Sequence, residues 1–388
     1  MTDNVQAFDQ WIRTDFSQLN TELEDLYFAS ADRSEVTGVG DTLKEELQRV
    51  GREHVLTLLQ EGNTDQGFDR GFDLLGNVGL YMAACGRHEI AQQADDASMR
   101  ETWALAMQLG ASLGVAPRFA TSHLSTHNPA HNGQYKSFTT LADEYLFTDY
   151  NTRGILAYKR AADALLRVLN IGVTHPVASD LLRSATDALE DVINYNKHLF
   201  SELNVERFFF CVRPYFRPHR VGLQVYRGAN AGDFAGINVI DLLLGLCNAN
   251  NPSYSQLLVE KFLYMMPADQ AILRDCMRQQ SLLDGFLQVD KDQHGAPWYR
   301  DNLGMFLETC EAHGRTATQH HDMLVNRFIE LPAAAAGMQK RSNLTASGPP
   351  LDVMLDSLQK LKDLRVAAPR DDIPSRYRDF QRLRDTLT

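Results

Sequence analysis

The sequence carries no C-x-x-C pair, no glycine-rich phosphate loop and no apolar run long enough to cross a bilayer. Its five cysteines, Cys85, Cys211, Cys247, Cys276 and Cys310, are scattered. That spacing argues against a zinc ribbon or a disulfide framework and fits reduced thiols in a cytoplasm. There is no H-E-x-x-H zinc helix and no strand-to-helix nucleophile elbow. The longest apolar run, Val239 to Leu246, is interrupted by Asp241. Basic charge is also short: the net charge of -12 is the wrong sign for a nucleic-acid partner. Met1 to Asp9 is acidic and polar, with neither the basic nor the apolar region of a secretory signal. Sustained period-two alternation is missing too, so strands are expected to be almost absent.

What is present is a chain of 388 residues, 44% hydrophobic, patterned at helical spacing. Helices are expected over Phe8–Leu26, Asp41–Leu59, Phe72–Cys85 and Ser98–Leu109, and then over longer stretches. These are Thr152–Asn170, Val177–Leu199 and the nearly all-apolar Ile237–Leu246, followed by two helices on either side of Pro267. An Ala/Gly/Ser/Pro segment, Ala333–Pro350, precedes a last amphipathic helix. The reading is all-α, with a small helical region at 1–138 and a larger helical domain at 139–388.

Trp298 to Leu331 reads as one long helix with adjacent histidines, His320 and His321, near its end. Neighbours on a helix point about 100° apart, so only one of the two can face the interior. His321 falls in line with Ala317, Leu324 and Phe328, and His320 with His313, Thr316 and Arg327. On that count His321 points inward, as a hydrogen-bonded core residue or as a ligand. A bundle-helix histidine with no other cofactor motif nearby suits haem iron. His123, His127 and His131 recur every four residues, but Pro129 breaks the helix they would need. A polar surface is expected there, the alternative being a metal pair. Arg213 follows three phenylalanines and precedes Pro214. Its part-buried guanidinium should meet a carboxylate, either a protein side chain's or a substrate's.

The segment Arg213-Pro214-Tyr215-Phe216-Arg217-Pro218-His219-Arg220-Val221-Gly222-Leu223-Gln224-Val225-Tyr226 resembles the R-P-[FY]-x-x-P-x-R-V-G-x-Q-x-Y motif of the monodechloroaminopyrrolnitrin synthase family. That family lies within the indoleamine/tryptophan 2,3-dioxygenase superfamily. His123 to Pro129 is similar to its H-x-x-x-W-N-P, with His127 in place of the tryptophan. His321 to Ala333 is similar to the dioxygenase's H-x-x-x-V-x-x-[YF]-I-x-[IL]-P-A. The resemblance covers about Phe72 to Val353 and implies an indoleamine dioxygenase-like, all-α haem enzyme.

Carried onto this chain, the resemblance makes His321 the proximal ligand of a non-covalent haem b, since Val325 stands where some relatives have a tethering cysteine. It makes Arg213 the arginine that binds the substrate carboxylate and Phe208 a pocket wall. Ile155, Leu156 and Lys159 fall at further pocket positions. Ser347 and Gly348 fall in a substrate loop. Relatives carry a propionate-binding arginine where this chain has Thr318, so Arg315 or another cation is expected to take that part. The implied function is oxidation or rearrangement of tryptophan or another aromatic amino acid by dioxygen or hydrogen peroxide. A peroxygenase-type tyrosine hydroxylase and a non-catalytic haem-binding protein are the alternatives. The expected protein is cytoplasmic, with neither nucleic acid nor membrane as partner, and a homodimer is left open.

Overall fold

Each helix begins where its sequence supplies a stop for the preceding chain. In a computed structural model, which describes residues 2–63, 67–90, 97–230, 232–338 and 345–387, the first helix α1 (Asp3–Arg13) starts under Thr2, whose side chain accepts the Val5 N–H. The expected Phe8–Leu26 helix is in fact two. The chain breaks at Thr14, whose φ of -123° and ψ of -93° leave the helical region, and restarts as α2 (Asp15–Ala29). Then come α3 (Asp41–Glu61), α4 (Phe68–Arg87), α5 (Arg100–Leu113), α6 (Ala142–Ile171), α7 (Ala178–Glu202) and the single turn α8 (Val205–Arg207). A two-stranded antiparallel hairpin follows, β1 (His219–Val221) and β2 (Gln224–Tyr226), with Val221 opposite Gln224. Its two-residue loop, Gly222-Leu223, needs a left-handed residue, and Gly222 supplies it at φ 59°. The glycine is the only part of the hairpin visible to a search for alternation.

The rest is again helical: α9 (Gly236–Leu244), α10 (Pro252–Phe262), α11 (Pro267–Cys276), α12 (Leu282–Leu287), α13 (Pro297–Gln319), α14 (Leu331–Ala335), α15 (Leu351–Arg365) and α16 (Tyr377–Asp385). Four of these, α10, α11, α13 and α14, start with proline in the first turn, where its missing N–H costs nothing. Among the described residues no helix is long and apolar enough to cross a membrane.

The chain forms two compact units, each built from three segments. The first comprises Met1–Asp149, Leu203–Asp233 and Glu330–Leu351, so it takes in the N-terminal region and adds two later pieces. Phe8, Phe16, Leu58, Leu75 and Leu105 are buried in it. A buried lysine, Lys136, sits 3.0 Å from Asp9 and 2.5 Å from Asp73, while Arg13 holds Asp9 from the other side at 2.8 Å. Of the stretch expected as a polar histidine surface, His131 is exposed and His127 half-buried, but His123 belongs to this interior. His123 is 1% exposed, accepts the Ala120 N–H on Nδ1, donates from Nε2 to the Phe72 carbonyl at 2.8 Å and stacks on the Phe72 ring. With both nitrogens engaged it is a core histidine, and the helical spacing with His127 does not arise because His123 lies in a short 3-10 turn.

The second unit comprises Tyr150–Glu202, Phe234–Ile329 and Asp352–Thr388. Leu165, Leu189, Ile240, Leu244, Phe306 and Phe380 lie in its core. Helices α7 and α13 pack along one another, with Thr186 and Thr309 hydroxyls 2.9 Å apart and Asn196 donating to Gln319 at 3.0 Å.

The Asp9 cluster makes a pH prediction. Burial would raise this carboxyl, but Lys136 and Arg13 outweigh it and lower it to about 2. A lowered carboxyl stabilises the fold above its ordinary range near 3.8 and loses that contribution as pH falls toward about 2. Asp9→Asn should therefore lower stability near neutrality by about 2 kcal/mol and flatten the acid limb between those values, read by denaturant melts across pH. An unchanged acid limb would mean that Asp9 gains nothing from its cations.

Candidate functional site

The arginine motif is built on an irregular turn. Asn204 starts it, its side chain accepting the Arg207 N–H at 3.0 Å. Phe208–Val212 then forms a wide π-helical turn, closed by the Arg213 N–H on the Phe208 carbonyl, and Arg213–Phe216 narrows to 3-10. The change of pitch comes at Pro214, which has no N–H to continue a helix. The Arg213 guanidinium lies 5.7 Å from the centre of the Phe209 ring. It is partly open to water, yet burial and the neighbouring Arg217 charge lower it to about 9. Burial disfavours charge of either sign, but the two neighbouring guanidinium charges of Arg213 and Arg217 favour an arriving anion. Phe208 is 6% exposed and packs on Phe147, with ring centres 4.9 Å apart.

Beyond the hairpin, the Gly228 N–H donates to the Ala346 carbonyl at 2.8 Å. That bond straps the Thr345–Gly348 loop to the strands that follow Arg213. Thr345 is fully buried, Ser347 is half-buried, and Gly348 is exposed in the left-handed region at φ 97°. Phe208, Arg213, Ser347 and Gly348 all belong to the first unit.

In the second unit the long helix changes type at the histidines. It is α-helical to Gln319 and π-helical over His320–Glu330. A count of 100° per residue therefore fails from His320 onward, and the expected orientations are corrected. His321 does not enter an apolar interior: it is half-buried, with Nδ1 2.7 Å from an Asp322 carboxylate oxygen that Lys362 of α15 also reaches at 3.2 Å. A carboxylate oxygen accepts, so the Nδ1–H donates to it and Nε2 takes no part in that bond. His320 makes no side-chain hydrogen bond among the described residues. It is open to a water-sized probe, yet burial, followed by the Arg365, His321 and Lys261 charges, lowers it to about 4. Of the polar side chains that line up with His320, His313 and Thr316 are buried, at 0% and 1% exposure, while Arg327 is exposed.

Arg315 is exposed and paired with Glu190 of α7. With Thr318, Arg365, Arg384, Cys310 and Phe380 it lines a hollow of about 310 Å³. On α6, Ile155 is half-buried while Leu156 and Lys159 are exposed. Among the described residues no cluster of histidine, cysteine and carboxylate side chains could hold a metal ion by itself.

The group that sequence reasoning passed over is Asp241, in the middle of the apolar helix α9. Its carboxylate is fully buried and takes a bond from His313 Nε2 at 2.7 Å, two from Arg365 at 2.8 Å each and one from the Tyr254 hydroxyl at 2.8 Å. Burial alone would raise it; the Arg365 charge and the His313 bond outweigh burial and hold it well below the usual carboxylate range. His313 Nδ1 has no hydrogen-bond partner among the described residues. The signal was there, since a charge in an otherwise apolar helix must find partners. What sequence could not supply was the partners themselves, 72 and 124 residues away. Arg365 lies three residues after Lys362, so one turn of α15 holds both Asp241 and the carboxylate beside His321.

Removing the carboxylate leaves Arg365 buried without its counter-charge. Asp241→Ala should cost about 3–5 kcal/mol, seen as a large drop in melting temperature. A loss below about 1 kcal/mol would show that water reaches the cluster and solvates Arg365.

Compared with known families, the sequence matches the family model described as monodechloroaminopyrrolnitrin synthase PrnB over residues 2–387. Enzymes of that family belong to pyrrolnitrin biosynthesis and act on a tryptophan-derived substrate. The irregular arginine turn and its hairpin are the folded form of the motif that first suggested the relationship. The chain belongs to the PrnB family of biosynthetic enzymes.

Proposed function

We propose that this protein is a haem b-dependent oxidoreductase of secondary metabolism with an indoleamine dioxygenase-like fold. It acts on tryptophan or a close aromatic relative and holds the iron through His321. The observation that carries the proposal is the Asp322 carboxylate on His321 Nδ1. An imidazole that ligates iron characteristically donates its other N–H to a carboxylate or carbonyl, which fixes the tautomer and the ring. The donor set is chemically suited to haem: an imidazole oriented by Asp322 for the iron, and beside one hollow the exposed Arg315 and Arg384, whose surface pairs with Glu190 and Glu311 are weak enough to give way to other carboxylates. Haem, when bound, supplies activation of dioxygen or hydrogen peroxide.

The chain's own residues do the rest. Arg213 binds the substrate carboxylate through paired N–H donors, and in doing so sets which ring atom is presented for reaction. Phe208 and Ile155 provide apolar surface for the aromatic ring, with Leu156 and Lys159 at its margin. Ser347 and the Gly348 backbone, in the strapped loop, meet the substrate amine. Asp322 holds His321 in one tautomer, and Lys362 holds Asp322 in place.

Hemin titration of the purified protein tests this reading. The wild type and His320→Ala should develop a Soret band and His321→Ala should not. L-tryptophan should then shift the band in wild type but leave it in place in Arg213→Ala. A wild type that takes up no hemin would refute the haem assignment, and loss of the band in His320→Ala alone would move the ligand by one residue. A shift with L-tyrosine and none with L-tryptophan would favour the tyrosine-hydroxylase alternative.

A further inference from the structure

Arg213 leaves the chain at a turn that does not satisfy its own backbone. In an α-helix the Phe210 carbonyl would accept the N–H of residue 214, but that residue is proline and has none. Arg87, the last residue of α4, donates from Nη2 to the Phe210 carbonyl at 3.0 Å. The arginine is itself held in a fixed plane. Its Nε and Nη2 reach the two oxygens of Glu24 at 2.8 Å each, both side chains are almost fully buried, and the guanidinium lies 4.9 Å from the centre of the Tyr27 ring. The next residue, His88, lies beside the chain past the proline: its Nε2 meets Asn20 Oδ1 at 2.8 Å and, at the longer distance of 3.3 Å, the Tyr215 hydroxyl, while its Nδ1 is 3.0 Å from the Tyr27 hydroxyl. The end of α4 therefore holds the chain at Phe210 and lies beside it at Tyr215, on either side of Arg213.

We propose that Arg87 is a positioning residue for substrate binding, acting through Arg213. By occupying the carbonyl that Pro214 leaves without a helical donor, it keeps the π turn open and fixes the direction in which Arg213 projects. A π turn holds one residue more than an α turn, and closing it would rotate everything beyond by about 100°. An arginine turned that far cannot meet the same carboxylate. The inference rests on the reading of Arg213 as the carboxylate-binding residue, and it uses no group outside the first unit.

The test is a double-mutant cycle on the full-length, hemin-loaded protein, with the Kd for L-tryptophan read from the Soret shift. Arg87→Lys retains a charge for Glu24 but loses the planar fork that reaches Phe210 as well. It should weaken binding about tenfold while melting within a few degrees of wild type. Arg213→Ala should weaken binding on the order of a hundredfold. The double variant should be no weaker than Arg213→Ala alone, because Arg87 has nothing left to position. A tenfold loss repeated in the Arg213→Ala background would overturn the proposal while leaving Arg213's role intact, and so would an Arg87→Lys that folds and binds like wild type. No weakening in Arg213→Ala would instead refute the reading on which the proposal rests, and the proposal with it. Should Arg87→Lys fail to fold, the pair Glu24→Gln with Arg87→Met leaves no buried charge and is read in the same cycle.

Discussion

One carboxylate without water, Asp241, decides how the histidine-bearing unit can pack. It sits mid-way along an apolar helix, and a buried charge there is tolerable only if every lone pair is used. Four helices meet that condition together: α9 carries the aspartate, α10 brings Tyr254, α13 brings His313 and α15 brings Arg365. A hydrophobic core accepts small slips between helices, whereas a bidentate arginine–carboxylate pair does not. With α15 fixed by Arg365, Lys362 one turn earlier comes to rest on Asp322, and Asp322 on His321. The orientation of the candidate iron ligand is thus a consequence of a charge buried four helices deep.

Both candidate functional residues stand on backbone that departs from the α-helix. Phe208–Val212 widens to a π turn just before Arg213, and His320–Glu330 is π-helical from the first histidine onward. Pro214 follows the first stretch, and its missing N–H removes the bond that would pull that turn back to α; the second stretch runs directly into α14, with Pro332 in the first turn of that helix. Wide turns are less favourable than α turns and persist where neighbours hold them. In the first unit that neighbour is Arg87. In the second they include Lys362 on Asp322 and Arg327, which donates to the Phe200 carbonyl at 2.8 Å.

Much of this was legible in the sequence where periodicity and punctuation agree. The α9, α10 and α11 helices were expected within a residue or three, because apolar spacing and prolines mark them. The end of a helix at Arg213 was visible in Pro214. The phase of His320 and His321 was not, because 100° per residue holds only while the helix stays α, and nothing in the spacing announces where it widens. His123 was misjudged for a related reason: its spacing from His127 matters only on a helix, and the chain there makes a 3-10 turn that buries the ring on Phe72. The Asp241 cluster was half legible. The charge stood out against its apolar surroundings, but His313 and Arg365 are partners by folding alone. The family motif reaches further than any local pattern because it reports residues brought together by packing.

The central claim is that His321 holds iron while Arg213 holds a carboxylate. A crystal structure of the hemin-loaded protein with L-tryptophan tests it most directly. The account predicts iron on His321 Nε2, Asp322 still on Nδ1, and the amino-acid carboxylate on the Arg213 guanidinium. Iron on another residue, or a carboxylate bound away from Arg213, would contradict it.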